Sequence, residues 1–269
     1  MEIIGLYLFV FGCCLGSFIN VLIYRLPLNQ SIVYPKSRCP KCNTKIKWFD
    51  NLPVISWFLL EGKCRSCKKE ISFSYPLVEL STGILVWLNI YAHPTIYSQL
   101  SIFTIIVLGT IFSSILFALA ILDFKYFWLP QFLTIGGLVF GLASSLLIDL
   151  FNNFEKFSYS IYSIAGSLLG FSIFYLLRHI GEKFFKKAVM GEGDLKLSAL
   201  LGAWLGTKGL LIAIWLSFIS AGIFVIIALL LKKIKRNQKI PFGIFLSFSG
   251  LIVWFFGNDI FLRVIFLKI

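Results

Sequence analysis

Long apolar runs separated by short polar segments dominate the pattern of this chain. Runs of about twenty residues with almost no charge are typical of helices that cross a lipid bilayer. The first run begins beside Glu2 without a basic segment or a small-residue cleavage motif, so we expect a retained span and not a signal peptide. In total the pattern predicts eight spans with these approximate bounds: 3–24, 76–91, 102–122, 129–150, 161–180, 194–206, 210–231 and 241–256.

Composition supports a membrane protein, and charge sets its predicted orientation. Of the 269 residues, 58% are hydrophobic and 14% are charged, and the mean hydropathy is +0.89. The net charge of +13 would suggest a nucleic-acid partner in a soluble protein. Here lysine and arginine gather in alternate connections, as the positive-inside rule requires of cytoplasmic loops. We therefore expect no nucleic-acid partner, contacts with anionic lipid head groups, both termini outside, and these cytoplasmic segments: 25–74, 123–125, 182–187 and 232–236.

The predicted fold class is an all-α polytopic membrane protein of about eight transmembrane helices with a small cytoplasmic zinc-binding loop domain. Three segments follow from this pattern. Residues 1–24 form the first transmembrane helix, residues 25–74 form the cytoplasmic loop that holds four cysteines, and residues 75–269 form the remaining helical bundle.

Two C-x-x-C pairs in the loop indicate a metal site. Cys39 and Cys42 are separated by 21 residues from Cys64 and Cys67, a spacing typical of two knuckles that close a tetrahedral zinc site. Disulfides or idle thiols are the alternatives, and a reducing cytoplasmic location disfavours disulfides. Because four thiolates leave no coordination position open, we expect a structural zinc and not a catalytic one.

Asp194 stands between a glycine-flanked loop and an apolar helix, in the sequence Gly191-Glu192-Gly193-Asp194. Acids at membrane depth are costly and are usually functional. Gly191 and Gly193 lack a Cβ atom and would let a peptide substrate approach the backbone closely. The alternative is that Asp194 only caps the helix that starts beside it, and the two functions are compatible. Glu192 places a further negative charge in the same loop.

Asp123 is the second carboxylate that the charge pattern places at the cytoplasmic end of a span. It closes the third predicted span, and a simple ion pair with Lys125 is the alternative interpretation. Two carboxylates held together share a proton, so that one activates water while the other protonates the carbonyl oxygen or the leaving amine. Aspartyl hydrolysis of a peptide bond is the predicted chemistry. Glu79, inside the second predicted span, would orient the cysteine loop or bind substrate.

These motifs together resemble the bacterial type IV prepilin peptidase family, the bifunctional leader peptidases and N-methyltransferases. The resemblance covers nearly the whole chain and includes GSFINVLIYRLP at 16–27, the two cysteine pairs, NLPVISW at 51–57, YPLVEL at 75–80, the G-x-G-D loop with Lys196 and Leu197, and IPFG at 240–243. Gln131 and Ile244 depart from the family pattern.

The resemblance implies a function for each site. Asp123 and Asp194 would be the catalytic pair, and prepilins and type II secretion pseudopilins would be the substrates. A basic leader ending in glycine would be cut on the cytoplasmic side of the bacterial inner membrane, and the new N-terminus would then be methylated from S-adenosylmethionine. No residue pattern identifies the site for this methyl donor. The alternatives are a peptidase that does not methylate and a zinc-bearing membrane scaffold or transporter that uses the two aspartates as an ion relay.

Overall fold

A computed structural model describes residues 2–97, 100–151, 158–186, 190–234 and 238–265. Across these residues the only β pairing is two isolated bridges, between Arg38 and Lys45 and between Lys63 and Glu70. The all-α prediction is therefore confirmed. The helices are α1 (Glu2–Arg25), α2 (Ile55–Leu59), α3 (Ser74–Leu88), α4 (Ile102–Tyr126), α5 (Gln131–Phe151), α6 (Ser158–Phe185), α7 (Glu192–Leu230) and α8 (Phe242–Ile265), with short 3-10 turns at Leu26–Leu28, Trp48–Asn51, Asn89–Tyr91 and Thr95–Tyr97.

Five of these helices, α1, α4, α5, α6 and α7, are long and apolar enough to cross a membrane. The chain is thus an integral membrane protein. Helix α3 has 15 residues, and the apolar part of α8, Phe242–Asn258, is also short for a span. The count of eight spans remains a prediction. Parts of four connections between predicted spans, residues 98–99, 152–157, 187–189 and 235–237, lie outside the described ranges.

Helix α7 reverses direction at Gly206, where φ is +67° and ψ is −176°. A Cβ atom at Gly170 of α6 would lie 2.5 Å from the Ser198 carbonyl oxygen and 3.2 Å from Leu210 Cδ2. These two positions of α7 would be about 18 Å apart along a straight helix. The helix therefore passes the same part of α6 twice. Its two legs correspond to the predicted sixth and seventh spans.

Buried aromatic residues hold the helices that carry the aspartates. The ring of Phe112 in α4 lies 4.8 Å from Trp204 in α7 and 5.1 Å from Trp254 in α8. The Trp204 indole donates a hydrogen bond of 2.9 Å to the Gly137 carbonyl of α5. All three rings are fully buried. This packing fixes α4, α5, α7 and α8 against one another.

By packing, the chain separates into an N-terminal unit, Met1–Ile90, and a C-terminal unit, Tyr91–Ile269. The N-terminal unit joins α1, the cysteine loop and α3. Gly12 and Gly16 of α1 bring it close to α3, since a Cβ atom at Gly16 would lie 2.6 Å from the Glu79 Cα atom. The division of the chain into three segments at residues 24 and 74 remains a prediction.

Candidate active site and metal centre

Asp194 is the third residue of α7, and its carboxylate binds the start of its own helix. The Gly191 amide donates a hydrogen bond of 3.2 Å to Asp194 Oδ2. Helix α7 begins at Glu192, two residues before the predicted start, so Asp194 acts from inside the first turn and not as the residue that precedes the helix. This hydrogen bond fixes the orientation of the carboxylate.

Asp123 lies in the last turn of α4 and is only 6% exposed. Its Oδ2 atom accepts a hydrogen bond of 3.2 Å from the Ile244 amide, at the start of α8. This contact joins the end of α4 to the start of α8. Among the described residues Asp123 forms no salt bridge with Lys125, the alternative that the sequence left open.

Gly243 lets α8 approach Asp123. A Cβ atom at this position would lie 2.8 Å from Asp123 Oδ2 and 3.1 Å from Leu129 Cδ1. The IPFG segment was part of the sequence resemblance, but its pattern gave no indication that it contacts Asp123. Gly243 and the Ile244 amide are therefore site components that sequence reasoning missed.

The structure brings Asp123 and Asp194 to one cavity of about 290 Å³. Gly193 packs the loop closely against Leu129, since a Cβ atom there would lie 2.8 Å from Leu129 Cβ. The remaining lining comes from Phe127, Trp128, Gln131, Gly191, Glu192 and Lys196. Two carboxylates beside a loop of exposed backbone can position water against a peptide bond.

Glu192 is directed towards α6, although it also lines the cavity. Its Oε1 atom lies 3.4 Å from Arg178 Nη1, while Arg178 Nε donates to Glu182 Oε1 at 2.9 Å. The Glu192 side chain is 73% exposed. One guanidinium therefore serves two carboxylates at the edge of the cavity.

The four loop cysteines form one cluster in the N-terminal unit, with all sulfur atoms within 4.8 Å of one another. The Cys39 and Cys67 sulfurs are 3.9 Å apart, and those of Cys42 and Cys64 are 4.0 Å apart. These separations are about twice a disulfide bond length and close to the ~3.8 Å between sulfurs around a tetrahedral zinc. The donor set and its spacing fit zinc.

Both cysteine pairs use the same turn. Asn43 and Lys68, each directly after the second cysteine, adopt positive φ values of 56° and 57°. Their amides donate to the carbonyls of Cys39 and Cys64, both at 2.9 Å. A hydrogen bond with Thr44 lowers the pKa of Cys42 to about 6, and backbone hydrogen bonds from Cys67 and Ser66 lower the pKa of Cys64. A backbone hydrogen bond with Lys69 lowers the pKa of Cys67, but desolvation and the neighbouring cysteine sulfurs outweigh it and raise that pKa to about 11. Thiolates are the form in which cysteine binds metal.

Glu79 orients the loop, one of the two functions that the sequence allowed for it. Its Oε2 atom accepts a hydrogen bond of 2.7 Å from the Val54 amide, and Glu79 is 8% exposed. The NLPVISW segment is thereby tied to α3. Within the same segment, Trp57 Nε1 donates to the Ile71 carbonyl at 3.0 Å.

A second cavity, of about 490 Å³, lies in the N-terminal unit beside Trp57. Phe73 meets the Trp57 ring edge-on at 5.3 Å on the cavity side. The rest of the lining is mainly polar and comprises Glu61, Gly62, Lys63, Glu70, Ile71 and Ser72. Aromatic surface next to both acidic and basic groups suits a ligand with a flat ring and charged ends.

Comparison with known proteins identifies two matching domains. Residues 10–93 match the bacterial peptidase A24 N-terminal domain, and residues 110–226 match the type IV leader peptidase family. A protein of Myxococcus xanthus named prepilin leader peptidase/N-methyltransferase is 37% identical over 78% of this chain and 58% of its own length. Proteins of the same name from Aeromonas salmonicida and Legionella pneumophila are 32% and 33% identical, covering 94% and 93% of this chain and 90% and 91% of their own lengths. No solved structure gives a significant match.

Proposed function

The chain belongs to the type IV leader peptidase family, and from this premise we propose that it removes the basic leader of prepilins and pseudopilins with Asp123 and Asp194. The observation that carries the proposal is that both carboxylates line one cavity beside the Gly191 and Gly193 backbone. The enzyme is thus an aspartic endopeptidase of the membrane. Its relatives are also named N-methyltransferases, and we propose that this chain methylates the new N-terminus of the cleaved product.

The proposed chemistry needs only the two carboxyl groups and water. The ionised carboxylate takes a proton from water as the oxygen attacks the scissile carbonyl carbon, while the protonated partner donates to the carbonyl oxygen. Collapse of the tetrahedral intermediate breaks the C–N bond. The first carboxyl passes the proton that it took from water to the leaving amine, and the partner carboxylate takes a proton back from the hydroxyl that becomes the product carbonyl, so the pair again holds one proton. Because the amides of Gly191 and Ile244 hold one oxygen of each carboxylate, both groups are oriented before substrate binds.

We place the protein in the bacterial inner membrane with the active site facing the cytoplasm. The basic connections support this orientation, because the segment after Asp123 carries Lys125 and the segment before Asp194 carries Lys183, Lys186 and Lys187. A leader that is itself basic stays on the same side for the same reason. Lipid contacts of the basic loops follow from this placement.

We further propose that Cys39, Cys42, Cys64 and Cys67 bind one structural zinc. The sulfur separations of 3.9 and 4.0 Å support this assignment. Metal analysis of the purified protein should find about one zinc per chain, as expected for a single closed site. The quadruple Cys→Ser variant should contain none.

The matched control for the zinc prediction is Cys14→Ser, which removes an exposed thiol from α1 and should keep the zinc. Retention of zinc by the quadruple variant would contradict the assignment. Because the metal is structural, single Cys→Ser changes at the site should lower protein level or loop order more than the cleavage rate.

S-adenosylmethionine is the proposed methyl donor, and the cavity beside Trp57 fits it. Trp57 and Phe73 offer aromatic surface for adenine, Glu61 and Glu70 offer acceptors for hydroxyl and ammonium groups, and Lys63 offers a partner for a carboxylate. When bound, the donor supplies an activated methyl group to the new N-terminal amine. The loop is thus proposed to contribute to methylation more than to cleavage.

Phe73→Ala should weaken binding of S-adenosylmethionine about tenfold, roughly the value of one aromatic stacking contact. Equilibrium binding of radiolabelled donor to the purified protein measures this directly, and cleavage should be unchanged. Phe58→Ala is the control, because Phe58 also meets Trp57 edge-on at 5.3 Å and is similarly exposed, but does not line the cavity. Equal affinity of both variants for S-adenosylmethionine would show that the cavity is not the site of the methyl donor.

Mass spectrometry of a prepilin co-expressed with the protein tests the whole proposal. A mass reduced by the leader shows cleavage, and an added methyl group on the shortened product shows the second activity. A shortened but unmethylated product would indicate a peptidase without methyltransferase activity. An unprocessed prepilin in the presence of well-folded protein would favour the scaffold or ion-relay alternative.

A further inference from the structure

The cavity that holds Asp123 and Asp194 is predominantly acidic. Its charged lining consists of three carboxylates, those of Asp123, Asp194 and Glu192, and one amine, that of Lys196. Two of the carboxylates are assigned to the chemistry. Glu192 is the acidic group of the cavity that the hydrolysis does not use.

Glu192 lies at the rim of the cavity, where it can bind a substrate residue a few positions from the scissile bond. It stands two positions before Asp194 in the first turn of α7, and successive residues rotate by about 100° around a helix. The two side chains therefore leave the helix in different directions, Asp194 towards the dyad and Glu192 towards the rim. An extended peptide advances by ~3.3 Å per residue, so a side chain held at Glu192 belongs to a residue a few positions from the cleaved bond.

The contact with Arg178 shows that Glu192 can bind a cationic side chain. The Nη1 atom of Arg178 lies 3.4 Å from Glu192 Oε1, but the shorter contact of this arginine, 2.9 Å, is to Glu182 on the same helix. One guanidinium is thus divided between two carboxylates, and among the described residues neither carboxylate forms a second salt bridge. A second cation, brought by a substrate, would complete the cluster.

We infer that Glu192 is a specificity-determining residue that binds a lysine or arginine side chain of the leader, a few residues from the scissile bond. The inference rests on the proposed function and names the group by which the site selects its substrate. The residue between the two glycines of the loop thus sets which leader charge the enzyme prefers. Arg178 occupies the position until substrate arrives.

The test uses the purified full chain in lipid nanodiscs and two synthetic leader peptides that differ by Lys→Glu near the scissile bond. Wild-type protein should prefer the lysine peptide about fivefold in kcat/KM, the upper range for one exposed ion pair, and mainly through KM. Glu192→Gln should reduce the preference to near one. Glu192→Lys should reverse it, since the charge swap restores an opposite-charge pair with the glutamate peptide.

Arg178→Gln is the matched control, because it breaks the same internal pair from the other side. If Glu192 binds substrate, this variant keeps or increases the preference for the lysine peptide. If the pair only holds the loop, Glu192→Gln and Arg178→Gln should slow both peptides equally, and the inference is overturned. Wild-type cleavage of both peptides at the same rate also overturns it, whereas cleavage of neither peptide contradicts the proposed function itself.

Discussion

Asparagine at Asp123 or at Asp194 is expected to lower leader cleavage by at least about a thousandfold. Either substitution keeps the size of the side chain and an oxygen that can accept from the amide of Ile244 or Gly191. It removes the exchangeable proton of the pair. A single remaining carboxyl cannot be base and acid in the same step, so the chemistry stops although the cavity keeps its shape.

Cleavage kinetics on a purified prepilin measure this loss, with thermal unfolding as the check of folding. The double variant should be scarcely slower than either single one, because residues that act as a unit have non-additive effects. Asp149→Asn is the matched control, since Asp149 is a buried carboxyl of α5, 1% exposed, that does not line the cavity. Methylation of an already cut pilin should survive in all of them. Near wild-type cleavage by a folded Asp123→Asn or Asp194→Asn protein would end the dyad assignment.

Local pattern predicted the features that depend on local sequence. Both aspartates were placed at helix ends, and α4 and α7 end and begin within a few residues of those positions. The break between the sixth and seventh predicted spans coincides with the reversal at Gly206. The repeated C-x-x-C spacing predicted the sulfur cluster, because each pair forms its own turn and needs only one long-range contact.

Features that depend on distant contacts could not be predicted in this way. The Ile244 amide meets Asp123 across 121 positions of sequence, and hydrophobic periodicity carries no information on such a meeting. The pair between Glu192 and Arg178 likewise depends on how α7 starts against α6. From sequence, Glu192 was only an added negative charge beside Asp194. In the structure Glu192 pairs with Arg178, and its side chain is still 73% exposed, so a second cation can reach it.

The predicted second span shows a different limit. Its apolar run extends over residues 76–91, but α3 ends at Leu88 and continues as the 3-10 turn Asn89–Tyr91. Hydropathy reports which residues avoid water and not which backbone conformation they adopt. The joining of α3 to the cysteine loop through Glu79 and Val54 was equally hidden, since it needs a buried carboxylate to meet a loop amide.

Gly243→Ala is expected to lower cleavage roughly ten- to a hundredfold with little loss of stability. The new methyl group would lie 2.8 Å from Asp123 Oδ2, so the carboxylate must turn away or α8 must withdraw. Either movement lengthens the 3.2 Å hydrogen bond from the Ile244 amide and misplaces one member of the dyad. Loss of one oriented donor at a reacting group typically costs about a hundredfold or more in other enzymes. The side chain can yield more easily than the backbone, so the fold should persist.

Gly222→Ala is the control for this prediction, because a Cβ atom at Gly222 of α7 would meet nothing within 4 Å. Both substitutions favour helix by up to about 1 kcal/mol, so a difference between them reports contact and not propensity. Cleavage kinetics and thermal unfolding, measured on both variants, separate loss of activity from loss of fold. A folded Gly243→Ala protein that cuts prepilin at the rate of Gly222→Ala would show that the start of α8 does not position Asp123.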